Sequence, residues 1–107
     1  MQKFRRSRTI FGGCIMENEM HVRFLSKLEN VQLARTLAVG FLVDLDLNLN
    51  TVNEIKTIIS EAVTNSIIHG YEEKDGIVKI ECRLFANSIE IEISDNGKGI
   101  FLIVLAN

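Results

Sequence analysis

Features typical of several classes of protein are missing from this sequence. It has two cysteines in 107 residues, and Cys14 and Cys82 are too far apart to form a paired zinc-binding motif. Cys82 instead falls in a strand pattern and is predicted to be a small buried hydrophobe. No apolar run approaches the about 18–20 residues of a membrane-spanning helix, and there is no internal repeat. We therefore expect one small domain, and the sparse cysteines predict a cytoplasmic location.

Acidic residues are absent from the first 15 residues, which contain four basic ones, whereas residues 16–107 carry a net charge of −6. An acidic body argues against nucleic acid as a direct partner. A nucleic-acid arm or a targeting signal would also be basic, but the apolar part of 1–15 is too short and broken for a signal peptide. We interpret 1–15 as an extension that is disordered or is translated upstream of a natural start at Met16.

Two amphipathic helices are predicted. The first covers residues 30–44 with Asn30 as its N-cap. The second covers residues 51–70 and begins with Thr51 and Glu54, which form a capping-box pattern. Apolar residues at helical spacing form the predicted buried stripe of the first helix: Leu33, Ala34, Leu37, Ala38, Phe41 and Leu45.

Strict alternation of apolar and polar residues predicts an antiparallel hairpin with strands at 76–85 and 88–95. Residues 21–26 alternate more loosely and predict a short third strand. The outward positions of the hairpin carry basic and acidic residues that are able to pair across the strands. One face of the sheet is then exposed to solvent, and both helices must cover the other face. The predicted fold class is an α/β two-layer sandwich (α+β).

The second helix carries an acid and an amide, Glu61 and Asn65, one turn apart at the border of its apolar stripe. They lie about 40° apart on a helix of 3.6 residues per turn. A carboxylate that is partly desolvated there is a usable general base, and an amide oxygen is a suitable ligand for Mg²⁺. An ordinary polar rim explains this pair equally well when it is considered alone.

The string "SDNGKGI", residues 94–100, directly follows the second strand of the predicted hairpin. Asp95 is therefore held at a fixed point, and its carboxylate can accept a hydrogen bond from an exocyclic amine such as that of adenine. Gly97 and Gly99 allow a ligand to approach the backbone closely. Considered alone, the string is also typical of a plain turn.

Together and in this order, the E-x-x-x-N helix, the hairpin and D-x-G-x-G resemble the N box and first glycine box of the Bergerat-fold ATPases and kinases. That family includes gyrase subunits, the ninety-kilodalton heat-shock chaperones, sensor histidine kinases and mismatch-repair proteins. The string "EIKTIISEAVTNSIIHGYEE" is most similar to the anti-sigma F factor serine kinases, and "MENEMHVRF" at 16–24 resembles their amino terminus. The resemblance covers about residues 16–100 and implies a Bergerat-type ATP-binding fold.

The resemblance implies a role for each motif residue. Glu61 is expected to be the general base that activates a serine hydroxyl on a protein substrate. Asn65 is expected to ligate Mg²⁺, and Asp95 to accept a hydrogen bond from the amine of adenine. Gly97 and Gly99 are expected to shape the wall of the nucleotide pocket.

The resemblance also implies partners. A sigma factor of the sporulation sigma F type is the expected binding partner, an anti-anti-sigma protein is the expected substrate, and ATP and Mg²⁺ are the expected cofactors. A homodimer is expected, without direct contact with nucleic acid or membrane. Arg35 is expected to contact a partner, whereas its position alone indicates only a solvated arginine.

Two alternatives stay open at this point. One is a non-catalytic fragment that binds a sigma factor. The other is the ATP-binding part of a sensor histidine kinase, against which the string "HGYEE" after the N box favours the anti-sigma group.

The resemblance stops after Ile100. The family continues with a mobile lid, a second glycine box, a helix and further strands, whereas this sequence continues with "FLIVLAN" at 101–107. We interpret this apolar, off-pattern tail as the product of a truncated or frame-shifted reading frame, and we therefore expect an incomplete domain with weak activity. The apolar residues 100–106 are expected either to pair with the sheet as a strand or to form an exposed tail that is prone to aggregation.

Overall fold

The fold is an antiparallel sheet with two helices packed on one face. The computed structural model describes residues 10–11, 14–70, 76–95 and 100–106. The strands are ordered β1-β2-β3-β4-β5 across the sheet, and every neighbouring pair is antiparallel. The predicted two-layer α+β class is confirmed. The elements, in chain order, are β1 (Ile10–Phe11), β2 (Cys14–Leu25), α1 (Asn30–Leu42), α2 (Leu49–Gly70), β3 (Ile77–Phe85), β4 (Ser88–Ser94) and β5 (Ile100–Ala106).

The core lies between the helices and the inner face of the sheet. The buried residues recur about every 3.6 positions in the helices and at every second position in the strands. Burial raises the pKa of the Cys82 thiol to about 11, and the nearby charge of Arg83 offsets this only in part. The thiol therefore stays protonated at neutral pH, and the prediction of a small buried hydrophobe is confirmed. The fully buried residues include Ala34, Ala38, Ile59, Val63, Val78, Cys82 and Ile91.

The predicted hairpin is present as β3 and β4, joined by a turn at residues 86–87. In its register Cys82 lies opposite Ile91 and Arg83 opposite Glu90. The even-numbered residues of β3 and the odd-numbered residues of β4 face the helices. The strict alternation of the sequence is therefore satisfied on both strands.

On the outer face, Arg83 is held by carboxylates and is only 5% exposed. It donates hydrogen bonds to Glu92 at 2.8 Å, Glu81 at 3.0 Å and Glu90 at 3.2 Å. Burial disfavours the charged guanidinium, but the hydrogen bonds to Glu92 and Glu90 more than offset this and raise the pKa of Arg83 above its ordinary value. The predicted pairing of charges across the strands is confirmed.

Both predicted helix caps are wrong. Asn30 is the first residue of α1 and donates its side-chain amide to the carbonyl of Leu25 at 2.8 Å, so it ties the helix to β2 rather than capping it. The cap of α2 is Asn48, whose side-chain oxygen accepts from the backbone N–H of Thr51 at 2.8 Å. Because the capping residue lies three positions earlier than predicted, α2 begins at Leu49.

The buried stripe of α1 also differs from the prediction. The helix ends at Leu42, and its buried residues are Ala34, Ala38 and Leu42. Leu33 is exposed, because it lies about 100° from Ala34 around the helix and points away from the sheet. Neither helix of the described chain contains a stretch that is long and apolar enough to cross a bilayer.

Strand β2 is twelve residues long, about twice the predicted length. It takes in the whole string at 16–24 and contains an irregularity between Met16 and Asn18. Ile10 and Phe11 pair with Ile15 and Cys14. Residues 1–9 and 12–13 lie outside the described residues, and the prediction that 1–15 is an extension stays a prediction.

The apolar segment after Ile100 is the strand β5. It pairs with β4 along its whole length, from Ser94 opposite Ile100 to Ser88 opposite Ala106. Of the two arrangements considered for this segment, the structure contains the paired strand. β4 pairs with β3 on its other side, so among the described residues β5 lies at the edge of the sheet.

We predict that core packing between α2 and the sheet carries much of the stability. Ile59 is fully buried in the core, so Ile59→Ala leaves a cavity and should lower the free energy of unfolding by about 2–5 kcal/mol. Ile68, on the same helix, is exposed, and Ile68→Ala should cost less than about 1 kcal/mol. Urea denaturation measures both changes, and equal losses would contradict the assigned core.

Candidate functional site

A cavity of about 400 Å³ opens beside α2, at the end of the sheet where β4 finishes and β5 begins. This volume lies within the range of about 300–1,000 Å³ that is usual for small-molecule sites. Its wall is contributed by α2, β4, β5 and the residue that follows β4. The described lining residues are Ile58, Glu61, Ala62, Asn65, Ser66, Ile93, Asp95 and Phe101.

Helix α2 places Glu61 and Asn65 on the cavity wall because residues four apart share one face of a helix. Ile58 and Ala62 lie beside them, and Ala62 is buried against the sheet. Glu61 and Asn65 are both exposed. The sequence suggested that a carboxylate at this border can be partly desolvated, whereas Glu61 is exposed in the structure.

Asp95 reaches the same cavity from the sheet. It follows the last residue of β4, so the ladder between β4 and its neighbours fixes its position. Asp95 is half-buried. Asp95 also lines a second cleft of about 350 Å³ with Arg23 and Lys79, which are paired across β2 and β3. The carboxylate thus lies at the boundary between the two faces of the sheet.

The cavity brings together three of the predicted site residues, namely Glu61, Asn65 and Asp95. Gly97 and Gly99 lie outside the described residues. Their expected contribution to the pocket wall stays a prediction.

Phe101 is a lining residue that the sequence did not reveal. It is placed there by the pairing of β5 with β4, in which Phe101 lies opposite Ile93. The sequence carries no signal for this position, because an apolar run does not show which strand it will join.

The chemistry of the lining suits a flat, amine-bearing ring. Ile58, Ile93 and Phe101 offer apolar surface, and the carboxylates and the amide offer hydrogen-bond acceptors. Adenine has an apolar ring face for this surface and an exocyclic amine for these acceptors. The described lining contains no lysine or arginine, so it offers no cation to a phosphate.

A divalent metal fits less completely. Among the described residues, no group of three or more histidine, cysteine or acidic side chains is placed to hold a metal ion. Asn65 and Glu61 offer oxygen ligands, and Mg²⁺ accepts such ligands when phosphates and water supply the remaining ones. Any Mg²⁺ here therefore depends on oxygens from a bound ligand.

Arg35 lies in a separate groove of about 420 Å³, which it lines with Gln32, Val39 and Lys56 among others. Its guanidinium donates to the Ser60 hydroxyl at 3.1 Å and to the side-chain oxygen of Gln32. The groove lies between the two helices and has two cations. Lys56 was missed from the sequence, because its position beside Arg35 depends on how α1 packs against α2.

Comparisons with known proteins identify the family. The histidine kinase-like ATPase domain matches residues 24–104. The chain is 51% identical over 85 residues to the anti-sigma F factor of Clostridium botulinum (strain Alaska E43 / Type E3), an overlap of 78% of this chain and 59% of that protein.

Two further relatives have the same name. The anti-sigma F factor of Clostridium kluyveri (strain ATCC 8527 / DSM 555 / NBRC 12016 / NCIMB 10680 / K1) is 46% identical over 90 residues, which are 84% of this chain and 63% of the relative. That of Thermoanaerobacter sp. (strain X514) is 49% identical over 83 residues, or 78% and 58%. The chain spans about three fifths of the length of these curated relatives. The domain match covers most of the sequence, and the predicted resemblance is confirmed: the chain belongs to the histidine kinase-like ATPase family.

Proposed function

We propose that this chain is the nucleotide-binding part of an anti-sigma factor that is also an ATP-dependent serine protein kinase. Its substrate is an anti-anti-sigma protein, and the sigma factor that it holds is of the sporulation sigma F type. The observation that carries this proposal is the cavity shared by Glu61, Asn65 and Asp95. The name of the relatives supports the sigma-factor partner.

Each lining residue has a role in this proposal. The apolar surface of Ile58, Ile93 and Phe101 holds the adenine ring, and Asp95 accepts a hydrogen bond from its amine. The side-chain oxygen of Asn65 helps to hold Mg²⁺. Bound ATP supplies the phosphoryl group, and the residues of this chain orient it.

Glu61 acts as the general base. Its exposed carboxylate is open to a hydroxyl on a second protein, which must reach the cavity from solvent. A base at this position accepts the serine proton as the oxygen attacks, and such a group typically contributes about 10²–10⁴ in rate.

Partner binding is assigned to the groove around Arg35 rather than to the cavity. The two sites share no described lining residue, so a sigma factor can contact α1 while the cavity is open. This separation favours one second candidate function, a sigma-binding fragment without catalysis.

The names of the relatives argue against a sensor histidine kinase. We also propose that the protein is a homodimer. Its proposed location is the cytoplasm, where sigma factors act.

We expect the chain to bind ADP and ATP about equally and weakly, with little dependence on Mg²⁺. The described lining recognises a base but offers no cation to the phosphates, and one amide ligand holds Mg²⁺ poorly alone. Asp95→Ala should abolish measurable binding, whereas Asp44→Ala, at an exposed carboxylate after α1, should not change it. Isothermal titration calorimetry decides this, and tight Mg²⁺-dependent ATP binding would contradict the expectation.

Glu61→Gln should abolish phosphoryl transfer and leave nucleotide binding intact. The test uses the chain completed after Ile100 with the corresponding part of the Clostridium botulinum relative, an anti-anti-sigma protein and labelled ATP. The single-turnover rate should fall by about 10²–10⁴. Glu54→Gln, at an exposed acid on the same helix, is the matched control. An unchanged rate in the Glu61 variant would remove that residue from the role.

Arg35→Ala should weaken binding of the sigma factor or of the anti-anti-sigma protein by more than about 1–2 kcal/mol, as is common for an interface arginine. The stability of the chain should change little, because Arg35 lies off the buried stripe of α1. Arg23→Ala, at an exposed position on β2, is the control. Titration calorimetry with each partner measures the effect. If the Arg35→Ala and Arg23→Ala chains bind each partner with equal affinity, Arg35 is an ordinary surface residue.

A further inference from the structure

A second cleft, of about 350 Å³, opens on the outer side of the sheet and has no role in the proposed function. Its described lining residues are Arg23, Ile77, Lys79 and Asp95. Arg23 and Lys79 lie directly opposite each other on β2 and β3. Lys79 lies opposite Ser94 at the end of β4, and Asp95 is the next residue. Neighbouring positions on three strands therefore place two cations and one carboxylate around one cleft.

The two cations of this cleft are only partly compensated by the protein itself. Like charges directly opposite each other across two strands are unfavourable. Within the part of the chain that the structure describes, the Arg23 guanidinium makes no hydrogen bond or ion pair. The Lys79 ammonium lies 3.9 Å from one carboxylate oxygen of Glu81, whose other oxygen accepts a hydrogen bond from Arg83 at 3.0 Å. An anion held between Arg23 and Lys79 therefore reduces their repulsion.

We propose that this cleft binds inorganic phosphate in its hydrogen phosphate form. The unprotonated oxygens of the ion accept charge-assisted hydrogen bonds from Arg23 and Lys79. The P–O–H group of the ion donates a hydrogen bond to the Asp95 carboxylate, which is only an acceptor when it is ionised. Ile77 contributes the apolar part of the wall.

Asp95 determines which oxyanion the cleft accepts. A carboxylate repels an anion that has no proton to share, whereas it forms a hydrogen bond with one that has an O–H group. Hydrogen phosphate carries such a proton near neutral pH, and sulfate does not. A phosphate monoester loses its last proton at about pH 6, so at about pH 7.5 it offers no donor either. The cleft therefore distinguishes free phosphate from sulfate and from a phosphate ester.

The test needs no nucleotide, so it does not rest on the proposed function. The purified 107-residue chain, labelled with nitrogen-15, is titrated with sodium phosphate at constant ionic strength, and the backbone amide shifts are followed by NMR. Saturable shifts are expected at Ile77, Lys79 and Asp95. At about pH 7.5, sodium sulfate and methyl phosphate should bind about tenfold more weakly or worse, because each leaves the Asp95 carboxylate facing an anion without a hydrogen bond.

Variants test the role of each side chain. Arg23→Gln and Lys79→Gln should each raise the dissociation constant for phosphate about tenfold, because each removes a charge-assisted hydrogen bond. Lys27→Gln, the same loss of charge at a residue that follows β2 and does not line the cleft, should leave the dissociation constant unchanged. Asp95→Asn should bind phosphate and sulfate about equally, because an amide donates as well as accepts.

The remaining amide signals of each variant show whether it is folded, so that a loss of binding is not confused with a loss of structure. Phosphate-induced shifts that do not saturate, or equal affinities of the unaltered chain for phosphate and sulfate, would overturn the proposal. So would an equal loss of affinity in Lys27→Gln, or a preference for phosphate that survives Asp95→Asn.

Discussion

The packing of α2 on the inner face of the β3–β4 hairpin is the interaction on which the rest of the structure depends. It buries the alternating isoleucines of β4 and the apolar face of the helix in one step. It also fixes the distance between the residues of α2 and the end of β4. Because Glu61 and Asn65 belong to the helix and Asp95 to the strand end, the cavity exists only while these two layers are in contact.

The outer face of the sheet is organised by charge rather than by apolar burial. Arg83 lies among three carboxylates from β3 and β4 and reduces the repulsion between them. Removing one partner of such a network leaves the remaining charges without compensation, which costs more than the pair contributes. The arrangement explains how a strand with glutamates at alternate positions pairs with its neighbour.

The sequence predicts those parts of the fold in which local pattern and tertiary environment agree. In β3 and β4 the apolar residues alternate with polar ones and the inward residues are buried or, at Leu84, partly buried, so the hairpin was predictable. The family was predictable because two motifs occur in a fixed order around that hairpin. Residues whose role depends on distant neighbours were not predictable. Asn30 is a residue type that is common at N-caps, but it is the first residue of α1 and its side-chain amide donates to the carbonyl of Leu25.

The same limit applies to the candidate site. A helical wheel places Glu61 at the border of a stripe, yet its exposure depends on what packs above it. The burial of Arg83 depends on three carboxylates gathered from two strands, and periodicity alone assigns it to solvent. Phe101 lines the cavity because β5 pairs with β4. An apolar run in the sequence does not specify which strand it pairs with.

The order of the strands also has a consequence for how the chain folds. Strands β3, β4 and β5 are joined in sequence, and β3 and β4 by a two-residue turn, so they pair between near neighbours. Strand β2 meets β3 only after both helices, since Leu25 lies opposite Ile77. Closing this long connection costs more entropy than closing a hairpin turn. Because both helices precede β3 in the chain, their sheet-facing apolar residues emerge from the ribosome first and stay uncovered until β3 and β4 have followed them.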